Sequence, residues 1–454
     1  MTEVIFSFDT EDFTSNVSAD AIVREAEILH SEGVRGGFCI VGLLADQLVK
    51  WGRADVRRAL EGHDILSHSY GHSLHPTLCE YTDLEDYEEA AERLQREEGE
   101  ALQKLQAFLQ MPMKEEEAFD GTTEKKAVRI LGACPPGNQK SYVAMYGYAD
   151  FGLPIYADTV CDTPDGRGSF YCNMFQTKYT FCMENFFKDA SEEFMKQTLD
   201  ELAQNKRVIC YTHPNMALYS IHWDLVNYYK ENKYPFGEWK EAPRRTKEES
   251  EAYFDAIRRF IRLIKADPRF QISSYSQLVE KLDAEPVRKL TIEDLPGLKK
   301  QLAENFGPIE HPSYCVADVF LACKEFLLGA KEHCCGKVYG FLEQPVGIRE
   351  SVRLTKEEMI ASAEAMNTEK FLPAQIMVGE QEVGPGDWLR AALEILTGAE
   401  IAEVLPGEQL PGLDELPELK NVRLVGWVQG DDMKDLYLSD RLRLQIWTLR
   451  HLEE

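Results

Sequence analysis

The sequence is poor in basic residues for its size and has no long hydrophobic run. Its 454 residues carry 78 acidic and 50 basic side chains, which gives a formal net charge of −28. Such an acidic surface argues against sequence-independent nucleic-acid binding and against docking on anionic lipid. No window approaches the roughly 18 apolar residues that a membrane-spanning helix needs. We therefore expect neither nucleic acid nor membrane as a partner.

A secretion signal and paired cysteines are also missing. The chain runs from Met1 directly into a predicted strand, without a basic segment or a cleavage site. Its eleven cysteines include no Cys-x-x-Cys pair, and several lie in apolar runs, as buried thiols do. This pattern predicts reduced cysteines in a cytoplasmic protein. The adjacent Cys334 and Cys335 could bind a soft metal, an alternative that the pattern does not favour.

The hydrophobic pattern of the first 280 residues predicts an α/β fold, because short β-rich runs alternate with longer helical patterns. Helical periodicity is clearest over Ser18–Glu32, and Gly33 ends it. A charged helical stretch begins at Asp83 and runs to about Phe108. The predicted strands are Val4–Phe8, Gly37–Val41, Ile65–His68, Arg207–Thr212 and Phe270–Ser273.

Beyond a boundary near Pro286 the sequence repeats itself weakly. Ala317–Ala330 resembles Gly386–Ala399, so that Asp318 corresponds to Asp387 at an offset of 69 residues. Upstream, Leu290–Asp294 resembles Leu354–Glu358, and both begin with a Thr three residues before an acid, as helix N-terminal caps do. We infer a first domain over residues 1–285, followed by two related, mostly helical modules, 286–350 and 351–454 with the C-terminal tail.

The chemistry is concentrated in two short segments. His68 and His72 lie four residues apart in Gly62–Ser73, a spacing that lets two imidazoles meet one metal ion. The acidic cluster Asp9-Thr10-Glu11-Asp12 directly follows the first predicted strand. Two histidines and one carboxylate around an open position form a layout for a metal that activates water.

These segments and three others resemble the polysaccharide deacetylase superfamily, the NodB-homology or carbohydrate esterase 4-like proteins. The resemblance covers roughly residues 1–285 and points to an atypical intracellular branch. The family has, in order, a strand ending in acids, a Gly-rich strand, a Gly-His…Ser-His-x-x-x-His phrase, a Pro-Pro-Gly motif and a late His. The matching segments are Phe8–Asp12, Gly33–Gly42, Gly62–His72, Pro135–Gly137 and His213.

The resemblance implies a distorted, partly open (β/α) barrel with its site where strand ends meet loops. It implies a divalent metal, with zinc expected and cobalt, manganese or nickel as alternatives, held by His68, His72 and a carboxylate. Either Glu11 or Asp12 could supply that carboxylate, and strand alternation favours Glu11. The remaining implied residues are Asp9 as general base, His213 as general acid, and Pro135, Pro136, Gly137 and Trp223 as substrate contacts.

Two features depart from the family pattern. The family's Arg before Pro-Pro, which orients the base, is Cys134 here, and Arg129 could replace it only if the loop folded back. The family's Asp-Trp motif is not visible, although Asp158 or Asp162 could orient His213. These departures leave the substrate open.

Taken together, these observations predict a metal-dependent hydrolase of non-peptide amide bonds that deacetylates an N-acetylated sugar or a related small amide. The alternatives are a cyclic-amide hydrolase and a non-catalytic carbohydrate-binding protein on a decayed deacetylase scaffold. In the C-terminal region, Leu372–Gly379 and Val383–Leu389 resemble pseudomurein-binding-type repeats. That similarity suggests an accessory region for homo-oligomerisation or wall-polymer binding.

Overall fold

The fold is α/β, with a curled, half-barrel sheet at its centre. A computed structural model describes residues 1–112, 128–161, 163, 165–185, 191–304, 314–407, 430 and 433–451. Within these ranges, no helix combines the length and the apolar character that crossing a membrane requires.

The strands of the large sheet are short except for the first, which is buried along nearly its whole length. Burial on both faces is typical of a central parallel strand and accounts for the apolar run Val4–Phe8. The strands are Thr2–Thr10 (β1), Gly37–Ile40 (β2), Asp64–Ser67 (β3), Gly132–Ala133 (β4), Ile155–Tyr156 (β5), Ser169–Tyr171 (β6), Met174–Gln176 (β7), Tyr179–Cys182 (β8), Arg207–Thr212 (β9), Phe270–Ile272 (β10) and Arg450–His451 (β17).

Helices cover the sheet and build most of the C-terminal region. They are Ala19–Ser31 (α1), Gly42–Lys50 (α2), Ala54–Ala59 (α3), Leu78–Thr82 (α4), Tyr87–Leu109 (α5), Tyr142–Asp150 (α6), Glu192–Leu202 (α7), Trp223–Asn227 (α8), Lys247–Ala266 (α9), Tyr275–Asp283 (α10), Leu295–Glu304 (α11), Val316–Leu327 (α12), Lys356–Ala365 (α13), Pro385–Leu396 (α14) and Leu438–Arg443 (α15).

The sheet order places β1 near the centre of a parallel run. Among the described strands the order is β8-β9-β1-β2-β3-β4-β5-β7-β6-β17, with β10 also paired to β1. Every pairing from β8 to β7 is parallel, whereas β6 and β17 add antiparallel pairs at one edge. The parallel strands therefore bring their carboxyl ends to one edge of the sheet, where barrel enzymes carry their chemistry.

The predicted α/β fold is confirmed. All five predicted strands exist within one or two residues of their predicted bounds, and the helix predicted over Ser18–Glu32 is α1. The charged stretch predicted from Asp83 begins as a helix at Tyr87, where the Asp86 side chain accepts a hydrogen bond from the Glu89 N–H. Strands β4 to β8 were not predicted because each has only two to four residues.

The two C-terminal modules share one arrangement of strands and helices. In the first, Lys289–Thr291 (β11) pairs antiparallel with Glu332–Cys334 (β12) across α11 and α12. In the second, Val352–Thr355 (β13) pairs antiparallel with Ile401–Val404 (β16) across α13 and α14. The second module also holds a hairpin formed by Ile376–Val378 (β14) and Gln381–Val383 (β15). The modules are thus mostly helical, with one small strand pair in the first and two in the second, and their predicted boundaries remain a prediction.

The C-terminal tail contacts the barrel directly. Strand β17 pairs with β6, and the Tyr171 hydroxyl donates to the carbonyl of Leu442 at 2.6 Å. The buried Tyr146 hydroxyl donates to Gln445 Oε1 at 2.7 Å. Hydrogen bonds between buried groups tie the tail to the barrel, because breaking them leaves unsatisfied polar atoms.

All eleven cysteines lie in the described residues, and each is a free thiol. Eight of them are buried, as the apolar runs around them predict, with Cys334 exposed and Cys182 and Cys335 half-buried. The cytoplasmic location stays a prediction.

We expect Glu80 to stabilise the fold in a pH-dependent way. Burial alone raises the pKa of Glu80, but hydrogen bonds from His75 and from the Gly430 and Thr77 N–H groups lower it to about 2. Because the folded pKa lies below the unfolded one, the stabilisation is present above the unfolded pKa of about 4.5 and is lost as the pH falls towards about 2. Glu80→Gln should lower the free energy of unfolding at pH 7 by about 1–2 kcal/mol, allowing for solvent screening.

Thermal unfolding of the wild type and Glu80→Gln from pH 7 to pH 2.5 measures this difference. The two curves should converge at the acidic end. The matched control is Glu88→Gln, which removes an exposed carboxylate paired with Lys370 and should change little. A Glu80→Gln penalty that is constant over the whole pH range would contradict the account.

Candidate metal and catalytic site

Five chain segments at the ends of parallel strands supply the site. Asp9 is the penultimate residue of β1, and Glu11 follows Asp9 by two residues. His68 follows β3, Cys134 follows β4, and Glu184 and His213 lie just beyond β8 and β9. Because these strands are parallel neighbours, residues far apart in sequence meet at one edge of the sheet.

The loop that follows β3 orients His68 and His72 through an uncommon backbone conformation. Ser69 and His72 both have positive φ angles, 63° and 53°. A non-glycine residue in this region is uncommon and is held there by its surroundings. Here the Tyr70 N–H donates to the buried Glu98 carboxylate at 3.1 Å, and the His72 N–H donates to Ser69 Oγ at 3.1 Å. These contacts turn the chain sharply, so that both imidazoles face the same carboxylate.

Glu11 lies against both histidines. Its Oε2 is 2.7 Å from His72 Nε2 and 3.8 Å from His68 Nε2, and all three side chains are buried. One donor atom from each of the three residues lies within 4.8 Å of the others. Two imidazoles and one carboxylate in a buried cluster are a donor set that suits zinc with an open position.

The outer ring nitrogens fix which nitrogen of each histidine faces Glu11. His68 Nδ1 donates to the Cys134 carbonyl at 2.6 Å. His72 Nδ1 lies 2.6 Å from Ser73 Oγ, which in turn donates to Asp224 Oδ2 at 2.8 Å. Since both Nδ1 atoms donate outward, each ring turns its Nε2 towards Glu11, and Nε2 is the atom that would ligate a cation.

Charges within the cluster keep Glu11 ionised. Burial alone raises the pKa of Glu11, but the positive charges of His72 and His213 hold that pKa well below its usual range. Burial lowers the pKa of His72, and the Glu11 and Asp224 carboxylates raise it above its ordinary value. A carboxylate that stays charged in a buried pocket is suited to a cation.

Asp9 receives its hydrogen bond from a tyrosine. The Tyr179 hydroxyl donates to Asp9 Oδ1 at 2.9 Å and lies 2.8 Å from Cys134 Sγ. Cys134 is itself 3.8 Å from the same oxygen. Tyr179 therefore lies where it can orient the carboxylate, beside Cys134. The prediction did not include Tyr179, because the four-residue strand β8 that carries it was not predicted.

His213 is paired with Glu184. Its Nδ1 lies 2.6 Å from Glu184 Oε1, and its Nε2 lies 3.8 Å from Asp9 Oδ2. Burial lowers the pKa of His213, but the Glu184, Glu11 and Asp9 carboxylates raise it well above its usual value. The His213 imidazole is therefore held protonated and faces the same space as Asp9.

A third imidazole completes the ring around Glu11. His222 Nδ1 lies 3.6 Å from Glu11 Oε1, and the His222 ring packs edge-on against His213 at 4.8 Å between centroids. One donor atom each from Glu11, His213 and His222 also lies within 4.8 Å of the others. Neither His222 nor Asp224 was predicted, because the segment that holds them carries no family motif.

Two predicted site residues lie outside the cluster. Asp12 is buried, and its Oδ1 accepts from the Thr14 N–H at 2.9 Å and from the Thr14 hydroxyl at 2.6 Å. Burial raises the pKa of Asp12 to about 6. Trp223 is 1% exposed and packs against the His72 ring at 5.6 Å between centroids, so it supports a histidine from behind. Geometry therefore favours Glu11 over Asp12 and gives Trp223 no contact with the cavity.

The other residues considered as orienting groups have different partners. Arg129 pairs with the exposed Asp283 at 2.6 Å, so the loop does not fold back to Asp9. Asp158 pairs with Lys140 at 2.8 Å, and Asp162 lies outside the described residues. Glu184 holds the position beside His213 that these acids were expected to take.

The site opens into a cavity of about 310 Å³. Pro135 and Gly137 line it as predicted, whereas Pro136 is not among the lining residues of the described chain. The cavity is lined by the acids Asp9, Glu11 and Asp158, by the histidines His68, His72, His213 and His222, and by Pro135, Gly137, Ala157, Tyr179, Tyr211 and Leu225.

Several solved structures resemble the chain in fold. A family 4 carbohydrate esterase from Streptomyces lividans is 12% identical, covers 60% of this chain and 92% of its own, and has a TM-score of 0.32. A CE4 family pseudoenzyme from Bacillus anthracis is 10% identical, with coverages of 61% and 65% and a TM-score of 0.32. A 4-alpha-glucanotransferase from Thermococcus litoralis is 10% identical, with coverages of 67% and 46% and a TM-score of 0.39.

At these identities and TM-scores the likeness concerns the fold alone. No protein-family model matches the chain, and no curated protein does.

We expect Glu11→Gln to remove one equivalent of bound divalent metal and Asp12→Asn to retain it. The reason is that Glu11 meets both histidines, whereas Asp12 is occupied by Thr14. Elemental mass spectrometry of protein purified without chelator measures both variants beside the wild type. Metal lost from Asp12→Asn and kept by Glu11→Gln would reverse the assignment.

Proposed function

We propose that the chain is a metal-dependent hydrolase of non-peptide amide bonds that removes an acetyl group from an amino sugar or a related small amide. One observation carries the proposal: the Glu11–His68–His72 cluster, the Asp9 carboxylate and the His213 imidazole face a single cavity. This set supplies a metal position, a base and an acid together. Amide hydrolysis by activated water needs these three functions.

The residues present fit a divalent cation. Glu11 Oε1 is buried without a hydrogen-bond partner among the described residues, and the Nδ1 contacts of His68 and His72 leave both Nε2 atoms available. Zinc suits two imidazoles and one carboxylate, and cobalt, manganese or nickel accept the same donors. Bound there, the cation would lower the pKa of a water molecule and polarise the amide carbonyl.

The chain's own residues then account for the proton transfers. Asp9, held by Tyr179 at Oδ1, accepts the proton of the attacking water at its free oxygen Oδ2. His213 donates a proton from Nε2 to the departing nitrogen, since Nδ1 is engaged by Glu184. The 3.8 Å separation of His213 Nε2 and Asp9 Oδ2 supports the proposal that the two act on one reacting group.

The cavity supports a small substrate. Its volume of about 310 Å³ lies at the lower end of the range for ligand pockets. The Tyr179 and Tyr211 rings stack at 4.6 Å between centroids and add aromatic surface to the wall, which suits a sugar face. These features favour a monomeric amino sugar or a small amide over a polymer chain. Homo-oligomerisation and wall-polymer binding by the C-terminal modules stay predictions.

A panel assay tests the proposal. Zinc- and cobalt-loaded protein is incubated with N-acetylated amino sugars in one arm and with cyclic amides in the other, and the released amine or acetate is quantified. His213→Ala serves as the matched inactive control. Turnover in the first arm supports deacetylation, and turnover in the second alone selects a cyclic-amide hydrolase. Metal-dependent glycan binding without turnover in either arm would instead indicate the decayed scaffold.

We expect Tyr179→Phe to lower kcat by about tenfold to a hundredfold while KM and metal content change little. The substitution removes the hydrogen bond that orients Asp9, a contact to a charged group whose loss costs about 1.5–3 kcal/mol. The control is Tyr275→Phe, which removes a buried hydroxyl bonded to Ser7 and no contact to Asp9. Steady-state kinetics on the best panel substrate measures both variants. Equal losses in the two would show a general packing defect and contradict a positioning role.

We expect Glu184→Gln to move the alkaline limb of the kcat/KM profile to lower pH. Glu184 raises the pKa of His213, and a general acid works only below its pKa, so activity is lost as the pH rises through it. Removing the negative charge of Glu184 lowers the pKa of His213, so activity is lost at a lower pH. Asp158→Asn, which disrupts the Lys140 pair, should leave this limb in place. An unmoved limb in Glu184→Gln would show that His213 does not set it.

A further inference from the structure

A second cluster of metal-ligating side chains lies in the first C-terminal module, away from the barrel site. Asp318 of α12, His333 of β12 and the neighbouring Cys335 each offer one donor atom, and these atoms lie within 4.8 Å of one another. Asp318 is fully buried, His333 is 6% exposed and Cys335 is half-buried. Carboxylate, imidazole and thiolate together are a donor set typical of zinc.

The two oxygens of Asp318 are in different situations. Oδ2 accepts from the Cys315 N–H at 2.9 Å and from the Arg288 guanidinium at 3.1 Å, and the Cys315 thiol lies 3.2 Å away. Oδ1 is buried and has no hydrogen-bond partner among the described residues. A buried carboxylate oxygen left unpaired is costly unless something else occupies it. Arg288 thus fixes the carboxylate through one oxygen and leaves the other free.

His333 has no hydrogen bond at either ring nitrogen among the described residues. Its Nδ1 lies at an ion-pair distance of 3.0 Å from Glu325 Oε2, and its Nε2 is buried. A carboxylate behind one ring nitrogen is the usual support for a histidine whose other nitrogen binds a metal. The Cys335 N–H donates to the Arg288 carbonyl at 2.9 Å. The Cys335 side chain is half-buried, so an ion can reach it from solvent and the thiol proton released on binding can leave.

The second module provides an internal comparison. Asp387 corresponds to Asp318 and has the same capping role, since its Oδ2 accepts from the Ile348 and Gly384 N–H groups. At the same offset, His333 corresponds to Ala402 and Cys335 to Val404 in strand β16. The module fold is therefore built without the histidine and the cysteine. Folding does not explain why the first module has two ligating residues where the second has aliphatic ones.

We propose that the first C-terminal module binds a zinc-class transition metal through Asp318 Oδ1, His333 Nε2 and Cys335 Sγ. The site is independent of the Glu11–His68–His72 cluster and leaves at least one coordination position open. The C-terminal region would therefore hold an ion whether or not the barrel cluster binds one. Its thiolate ligand is the property that separates it from the barrel cluster, whose donors are nitrogen and oxygen.

The test uses the full chain loaded with zinc or with cobalt. Zinc content should be two equivalents in the wild type and one in His333→Ala/Cys335→Val, which copies the second module and should therefore fold. The His68→Ala/His72→Ala variant should also retain one equivalent. Cobalt should give thiolate-to-metal charge-transfer absorption that persists in His68→Ala/His72→Ala and disappears in His333→Ala/Cys335→Val.

Cys334→Ser is the matched control, because Cys334 is exposed and adjacent, and it should keep both the absorption and the second equivalent. The proposal is overturned by a charge-transfer band that survives in His333→Ala/Cys335→Val. It is equally overturned by the absence of the band in His68→Ala/His72→Ala, a readout that does not depend on the module variant folding. In that case the cluster is only a set of contacts among Asp318, His333 and Glu325 without a bound ion.

Discussion

The parallel pairing of β1 with β2, β9 and β10 is the constraint on which the site depends. This strand is buried on both faces, and its register sets Phe8 opposite Phe38 of β2 and opposite Thr212 of β9. With that register fixed, Asp9 and Glu11 at the end of β1 lie beside His213, which directly follows β9. A shift of one residue would turn these side chains to the other face of the sheet.

Glu11 is the electrostatic centre of what this pairing assembles. Three imidazoles, those of His68, His72 and His222, lie within 4 Å of its carboxylate. In a buried setting such an arrangement is stable only if charge is balanced, by protons on the rings or by a cation among them. The surrounding contacts of His72 with Ser73 and of His213 with Glu184 settle which nitrogen of each ring faces the cavity.

Asp9 takes its orientation from a neutral donor. The hydroxyl of Tyr179, from the edge strand β8, donates to Asp9 Oδ1 and lies beside Cys134 Sγ, the residue that precedes Pro135 and Pro136. A neutral phenol gives the carboxylate less electrostatic support than a cation would.

Sequence reasoning found the residues that lie in local motifs and missed those that depend on strand neighbours. His68, His72, Asp9 and His213 were visible because each lies in a short phrase at a strand end. Tyr179 and Glu184 reach the site only through the pairing of β8 with β9, and that pairing includes a register shift between Tyr179 and Phe181 that no pattern encodes. The choice between Glu11 and Asp12 likewise needed the turn at Thr14.

In the C-terminal region, too, local features were predicted and tertiary ones were missed. The sequence repeat predicted that Asp318 and Asp387 are equivalent. It also predicted the helix caps in which a Thr contacts an acid three residues later, because capping residues are fixed by local geometry. The paired strands β11 with β12 and β13 with β16 were missed, since three or four residues offer too little alternation to identify a strand. The return of β17 to the barrel depends on tertiary contacts that a sequence does not display.

The most direct measurement is anomalous diffraction at the zinc edge from crystals of the zinc-loaded protein. The account predicts a peak about 2.0–2.2 Å from His68 Nε2, His72 Nε2 and a Glu11 oxygen, with Asp9 and His213 beside it. A peak centred between Glu11, His213 and His222, or no peak at the barrel site, would contradict it.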